Sequence, residues 1–287
     1  MKLSLIILSA FSILAFSSCK KSKGPANVNF YFRFDSTQAR LNNIGQPSTI
    51  PAGNAAQSPR FNWMGAHYVE LAPNATTALG TGAVLYKAAE VNAGGGLAID
   101  FSKENLTGNN GMFLSVPVNS FAAGTYQYLR VSLAYQNYNV WVTTPSGVID
   151  ATVASFIGFN TYITSYKIKD STVAVNGPKA QGYWGVEGKL GAFGFVSTGQ
   201  APAGATTVPN PIFATSPIPA GSCVVTAAFV TPLTVTGNET SDINIVVSLS
   251  INKSFEWVDT NGNGKYEPLS GEQVVDMGVR GMIPSVQ

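Results

Sequence analysis

The chain has 287 residues, of which 17 are basic and 15 acidic, with one histidine and two cysteines. Charged residues make up only 11%, but aromatic residues make up another 11%, so the low charge accompanies side chains that pack sheets, and a disordered polymer is excluded. Lys2, Lys20, Lys21 and Lys23 supply four of the 17 basic residues, leaving 13 against 15 acidic ones from residue 24 onward, a formal −2. No phosphate-binding surface is implied by that balance, and nucleic acid is not an expected partner.

Met1-Lys2 opens a short polar region, residues 3–16 are almost uninterruptedly apolar, and Phe16-Ser17-Ser18-Cys19 closes the stretch with small residues before a thiol. The apolar run is shorter than the about 20 residues a bilayer span needs. The arrangement resembles the lipobox of bacterial lipoproteins, with Phe16 where that motif usually carries Leu. The resemblance implies a signal peptide at 1–18, cleavage before Cys19, and a lipidated thiol and acylated (palmitate-type) amino terminus on a tether at 19–26. It also implies a bacterial cell envelope address at the outer membrane, with the membrane as partner through the lipid. Two alternatives are an uncleaved anchor and ordinary cleavage, in which Cys19 stays a free thiol able to pair with Cys223 in an oxidising compartment.

Residues 27–287 are expected to be all-β, an antiparallel β-sandwich with long Pro/Gly-rich loops, either one domain or two lobes divided near 198–221. Period-2 alternation and β-branched or aromatic runs predict strands at 28–34, 67–71, 83–88, 97–101, 112–116, 125–135 and 138–143. Later runs predict strands at 153–166, 182–187, 223–230 and 243–258, and no helical stripe of useful length is present. Ile50-Pro51-Ala52-Gly53, Phe121-Ala122-Ala123-Gly124, Ala201-Pro202-Ala203-Gly204 and Ile218-Pro219-Ala220-Gly221 share one turn-like shape ahead of strands. Residues 36–60 and 198–221 read as irregular.

Asp259-Thr260-Asn261-Gly262-Asn263-Gly264-Lys265-Tyr266-Glu267 resembles the D-x-[DN]-x-[DN]-G loops that bind calcium. That resemblance implies side-chain ligands from Asp259, Asn261 and Asn263, a carbonyl from Lys265, and Glu267 or Glu272 completing the shell of a Ca²⁺ ion. The twelfth position, where such loops carry glutamate, is Ser270. Asn261-Gly262 and Asn263-Gly264 are also hairpin-turn dipeptides, so a metal-free turn is the competing reading.

His67, the only histidine, excludes multi-histidine zinc sites, and no G-x-S-x-G elbow is present to pair it with a serine; it reads as structural. Cys223 opens an apolar strand and is expected to be a buried, inert thiol. Gly94-Gly95-Gly96 reads as a loop, since no helix follows it to cradle a phosphate. Alternation places Tyr126, Tyr128 and Arg130 opposite Leu129 and Val131, and an exposed face of that kind could stack on sugars; cross-strand packing is the alternative. A second aromatic group runs from Tyr135 through Tyr138 to Trp141. With no nucleophile motif and no cofactor fingerprint, the sequence favours a non-catalytic binding or structural module, with a glycan or an envelope protein as partner. The alternative is an envelope hydrolase acting on glycans through scattered carboxylates.

Overall fold

The computed structural model describes residues 26–201 and 222–287. Of the described residues, 61% are in strands and 4% in helix, and none of those helices has seven residues or more, so sheets build the core. No helix among the described residues is long and apolar enough to cross a membrane.

One sheet has four strands in the order β19 (Met282–Val286), β16 (Ile243–Ser250), β1 (Asn27–Asp35) and β8 (Gly111–Pro117). A larger sheet runs β14 (Phe193–Gln200), β13 (Tyr183–Leu190), β10 (Gly147–Phe156), β9 (Gly124–Thr144), β3 (Arg60–Ala72) and β4 (Ala83–Lys87). To it are added β15 (Cys223–Val235) on β9 and β7 (Leu106–Thr107) on β3. A third sheet orders β12 (Thr172–Ala180), β11 (Asn160–Lys167), β6 (Gly96–Asp100) and β5 (Glu90–Ala93). The smallest holds β18 (Val274–Asp276), β17 (Phe255–Val258) and β2 (Asn54–Gln57). Most pairings are antiparallel; β1 with β16 and β6 with β11 are parallel.

The main core lies between the first two sheets. Val28, Phe30, Phe32 and Phe34 from β1 and Ile245, Val247 and Leu249 from β16 meet Val69 and Leu71 from β3 and Leu129, Val131 and Leu133 from β9. Each set recurs every second residue, as a half-buried strand requires. The third sheet covers part of the opposite, outer face of the large sheet, where Ile163, Tyr166 and Ile168 pack on Tyr135, Ala154 and Phe156.

Residues expected as two strands at 125–135 and 138–143 form the single strand β9. Its partner β3 follows it from Arg60↔Asn139 to Ala72↔Tyr128, but pairs Gly65 with Tyr135 and Ala66 with Leu133, leaving Ala134 as an extra residue. One inserted residue exchanges the faces. The core side of β9 therefore passes from Leu129, Val131 and Leu133 to Tyr138, Val140 and Val142. The opposite error occurs at 153–166, which is two strands in different sheets. Between them Gly158 lies so close to its neighbours that a Cβ would stand 2.6 Å from Ile99 Cδ1. Likewise 243–258 divides into β16 and β17, with Lys253 at φ 47° in the turn. The expected irregular segments also carry strands: β2 lies in 36–60, and β14 runs to Gln200 before the interval whose residues 202–221 are outside the described set. The strands flanking that interval, β14 and β15, belong to the same sheet.

The sandwich has two distinct ends. Val118 donates its backbone N–H to Ala26 (2.9 Å), Asn27 N donates to Asp242 Oδ1 (2.9 Å), and Val235 pairs with Gly124. The start of the described chain and the start of β9 therefore share one end. At the other end Thr143 N donates to the Tyr266 carbonyl (2.8 Å), tying the loop after β17 to the close of β9. At about 3.3 Å per residue, β9 reaches roughly 65 Å between them.

Candidate ligand-binding face

The outer face of the large sheet carries two groups of polar side chains. One is sealed. Glu70 on β3 has no solvent exposure, and its carboxylate accepts backbone N–H groups from Gly80 (3.0 and 3.1 Å) and Gly82 (2.6 Å) in the loop between β3 and β4. Arg130 Nη1 lies 3.5 Å from Glu70 Oε2, and its Nη2 donates to the Thr77 carbonyl (2.6 Å). Farther along β3, His67 Nε2 is 2.9 Å from Glu90 Oε1, and Lys87 reaches Glu90 Oε2 at 2.8 Å. Desolvation holds the His67 pKa below its ordinary value despite Glu90. Burial pushes Glu90 the other way, but Lys87 and His67 outweigh it and leave that carboxyl low. Both carboxylate oxygens of Glu104 are buried without a hydrogen-bond partner, and burial pushes its pKa up to about 8. Gly65 makes the space, since a Cβ there would stand 2.7 Å from Glu104 Oε1.

The second group is open and lies at the end of β9 remote from Ala26. Here the pleat turns Asn139 and Trp141 of β9 outward beside Asp150 of β10 and Arg60 of β3, in the register Trp141↔Asp150 and Asn139↔Arg60. Trp141 is 51% exposed, and the Arg60 guanidinium carbon sits 4.3 Å from its ring centroid. Arg60 Nη2 also pairs with Asp150 Oδ1, the oxygen that accepts from Asn139 Nδ2 at 3.1 Å. Asn62 Nδ2 donates to both Asn137 Oδ1 and Asn139 Oδ1 at 2.8 Å, and Asn137 Nδ2 donates to the Ile168 carbonyl at 2.9 Å. Gln57 fixes the Trp141 backbone by accepting its N–H and donating to its carbonyl, each at 2.8 Å. Planar polar groups are thus locked around an exposed indole, and Trp63, 52% exposed, stands beside Asn62 on β3. Next to Asp150 a groove of about 380 Å³ continues over Lys169, Asp170, Glu187 and Lys189. Burial raises the Glu187 pKa, but backbone N–H groups of Ser171, Lys169 and Asp170 outweigh it and hold this carboxyl below its ordinary range.

At the same end lies the loop read as calcium-like. Asp259 Oδ1 accepts from Asn263 N (3.2 Å) and Oδ2 from Gly264 N (2.9 Å), while Asn261 Oδ1 takes Asn263 N (3.1 Å) and Asn263 Oδ1 takes Lys265 N (2.7 Å). Glu267 Oε2 accepts both asparagine Nδ2 groups at 2.8 and 2.7 Å. Glu272, 3% exposed, accepts Thr260 N and Glu267 N and closes the loop from inside. Among the described residues no three His, Cys, Asp or Glu side chains gather at metal-holding distance; in this loop the carboxylates of Asp259, Glu267 and Glu272 are accompanied by the amide oxygens of Asn261 and Asn263.

Cys19 lies outside the described residues. Tyr126, Tyr128 and Arg130 do not share an open face. An irregularity between Ala228 and Leu233 of β15 leaves Gln127 without a partner, so Tyr126 turns into the main core and donates its hydroxyl to Ala122 O at 2.6 Å. Arg130 is 2% exposed beneath the β3–β4 loop, and Tyr128 alone is half-exposed. His67 is fully buried, and burial pushes the Cys223 thiol up to about 12. Gly94 and Gly95 make the β5–β6 turn at φ 69° and 94°. Arg60, Trp63, Asp150 and Glu104 were not singled out from the sequence. The signal that could have found the open group is the outward phase of Asn139 and Trp141 against Tyr138, Val140 and Val142; nothing local marks Glu104.

Fold and site together define an all-β sandwich with one open, aromatic and polar face. Compared with known proteins the chain gave no match: no family model fits the sequence, and no curated protein or solved structure matches it.

Proposed function

We propose that this is a lipid-anchored cell-envelope protein with a non-catalytic binding role, which holds its binding face away from the membrane. The anchor is Cys19, from the lipobox-like Phe16-Ser17-Ser18-Cys19, and the address is the bacterial outer membrane. The observation that carries the binding role is the locked, exposed Trp141–Arg60–Asp150 group at the end of β9 opposite Ala26. The eight-residue tether from Cys19 to Ala26, seven steps of the chain, reaches at most about 25 Å, so the Ala26 end faces the bilayer. Trp141 then stands on the order of 50 Å farther out along β9.

A hydrolase would need a proton-donating carboxylic acid beside a second carboxylate. Glu187 is held low by backbone N–H groups, and Glu104, the described carboxyl with a raised pKa near neutrality, is sealed from solvent. This supports binding without turnover. The loop from Asp259 to Glu272 adds a calcium ligand set made only of oxygen: Asp259, Asn261, Asn263, the Lys265 carbonyl, and Glu267 or Glu272. Each oxygen that accepts one N–H keeps a further lone pair for a hard cation. Calcium there braces the open face through the Tyr266–Thr143 hydrogen bond.

Fractionation of expressing cells tests the anchor. The natural chain stays with membranes and Cys19→Ser moves to the soluble fraction; a Cys19→Ser protein that stays membrane-bound overturns it. New reducing ends released from envelope glycans by the purified protein would overturn the non-catalytic role. Thermal melting in millimolar calcium raises Tm, and an unchanged Tm removes the calcium assignment.

A further inference from the structure

We infer that the Trp141 face binds a neutral oligosaccharide chain, stacking a sugar ring on the open side of the indole and reading its hydroxyls with Asp150, Asn139 and Asn62. The inference rests on the binding role proposed above and names its ligand class.

Three observations lead there. First, Trp141 lies on β9, which has neighbours on both edges, yet it is 51% exposed. Arg60 covers one side of the ring and leaves the other apolar surface in water. A flat ring offers a pyranose the apolar contact it needs, since one face of such a sugar presents mainly C–H groups. Second, the polar groups around the indole are fixed before any ligand arrives. Asn62 clamps Asn137 and Asn139, Asn139 holds Asp150, and Asp150 holds Arg60. Sugar hydroxyls both donate and accept, and planar carboxylate, amide and guanidinium groups pair with them at little entropic cost when already ordered. Among the described residues, no hydrogen-bond partner takes the second carboxylate oxygen of Asp150 or the carbonyl oxygen of Asn62, which leaves both for a ligand.

Third, charge selects the class. Arg60 offsets Asp150, and in the adjoining groove Lys169 and Lys189 offset Asp170 and Glu187, so no excess of either sign awaits a polyanion. Trp63 pairs with Asn137, four residues from Trp141 along β9, so the two indoles are about 13 Å apart in the strand direction. That distance suits a chain of sugars better than a single one.

Titrating the full Cys19→Ser chain with oligosaccharides, read by tryptophan fluorescence, tests this. One arm uses N-acetylglucosamine hexamers, the chemistry of wall glycans; the other uses glucose hexamers, the chemistry of neutral exogenous polysaccharides. Saturable change with either hexamer is expected, with at least tenfold weaker binding of the corresponding monosaccharide, and the responding arm identifies the source. Trp141→Ala should weaken binding at least tenfold with an unchanged Tm, and Asp150→Asn should weaken it less. No saturable change at millimolar hexamer, or equal binding by Trp141→Ala, overturns the inference. A photo-crosslinker at the exposed Val148 separates that failure from failure of the binding role. An envelope protein captured there without sugar binding leaves the binding role and removes the sugar; neither result sinks both.

Discussion

The same residue types stand in two places on the outer face of the large sheet and have opposite duties. Glu70 and Arg130 lie under the β3–β4 loop at 0% and 2% exposure, whereas Arg60 and Asp150 lie open, with side chains 45% and 41% exposed. Both are arginine–carboxylate pairs, Glu70–Arg130 across the neighbouring strands β3 and β9 and Arg60–Asp150 from β3 to β10 over β9 between them. What differs is the cover. Without it, a pair can meet a ligand and contributes little to folding; beneath it, each partner depends on the other to remain buried.

Removing a sealed partner should be the most damaging change. Arg130→Ala leaves Glu70 as an uncompensated buried charge and is expected to cost about 3–5 kcal/mol, read from chemical denaturation. Next comes Gly65→Ala, which places a Cβ 2.7 Å from Glu104 Oε1 and 2.8 Å from Leu106 Cδ2. Such overpacking costs typically about 1–3 kcal/mol, and a neutral result would mean that the Glu104 side chain moves aside.

Glu104 sharpens the comparison through pH. Its folded-state pKa of about 8 lies above the ordinary 4.5, so the folded protein keeps a proton that the unfolded chain has lost. The associated stability is full below the unfolded value and disappears as pH rises through the folded one, with a loss of about 1 kcal/mol between pH 7 and 9. Glu104→Gln should flatten that slope in denaturation measured at the two pH values; an equal slope in the variant assigns the effect elsewhere. The smallest change is expected from Arg60→Ala, under about 1 kcal/mol, because its ion pair is exposed. A loss as large as that of Arg130→Ala would erase the distinction between the two places.

Legibility in the sequence followed the same division. The all-β class and most core strands were readable because alternation survives in β1, β16 and the two halves of β9. Strands such as β12, with Gly177 and Pro178 inside it, and β14, with Gly194 and Gly199, carry breakers that conceal a pleat held by pairing. The Tyr126–Tyr128–Arg130 row failed for a different reason. Period-2 reading assumes an unbroken register, and one unpaired residue at Gln127 sends Tyr126 to the other face. Cover is less legible still, because the residues that bury Arg130 arrive from the distant 74–82 loop. The Asp259–Glu272 loop, whose contacts are mostly local, was located from its own residues.

The parallel pairing of β1 with β16 carries a consequence for how the molecule is made. Val28 meets Ile243 and Asp35 meets Ser250, partners about 215 residues apart. Closing so long a loop is slow compared with forming a hairpin. A chain emerging from its amino terminus therefore presents β1 early, with four large apolar side chains and its β16 edge vacant until nearly all of the remaining sequence has followed. During that interval β1 is the segment most in need of a chaperone, and truncation anywhere before β16 leaves it permanently without that partner.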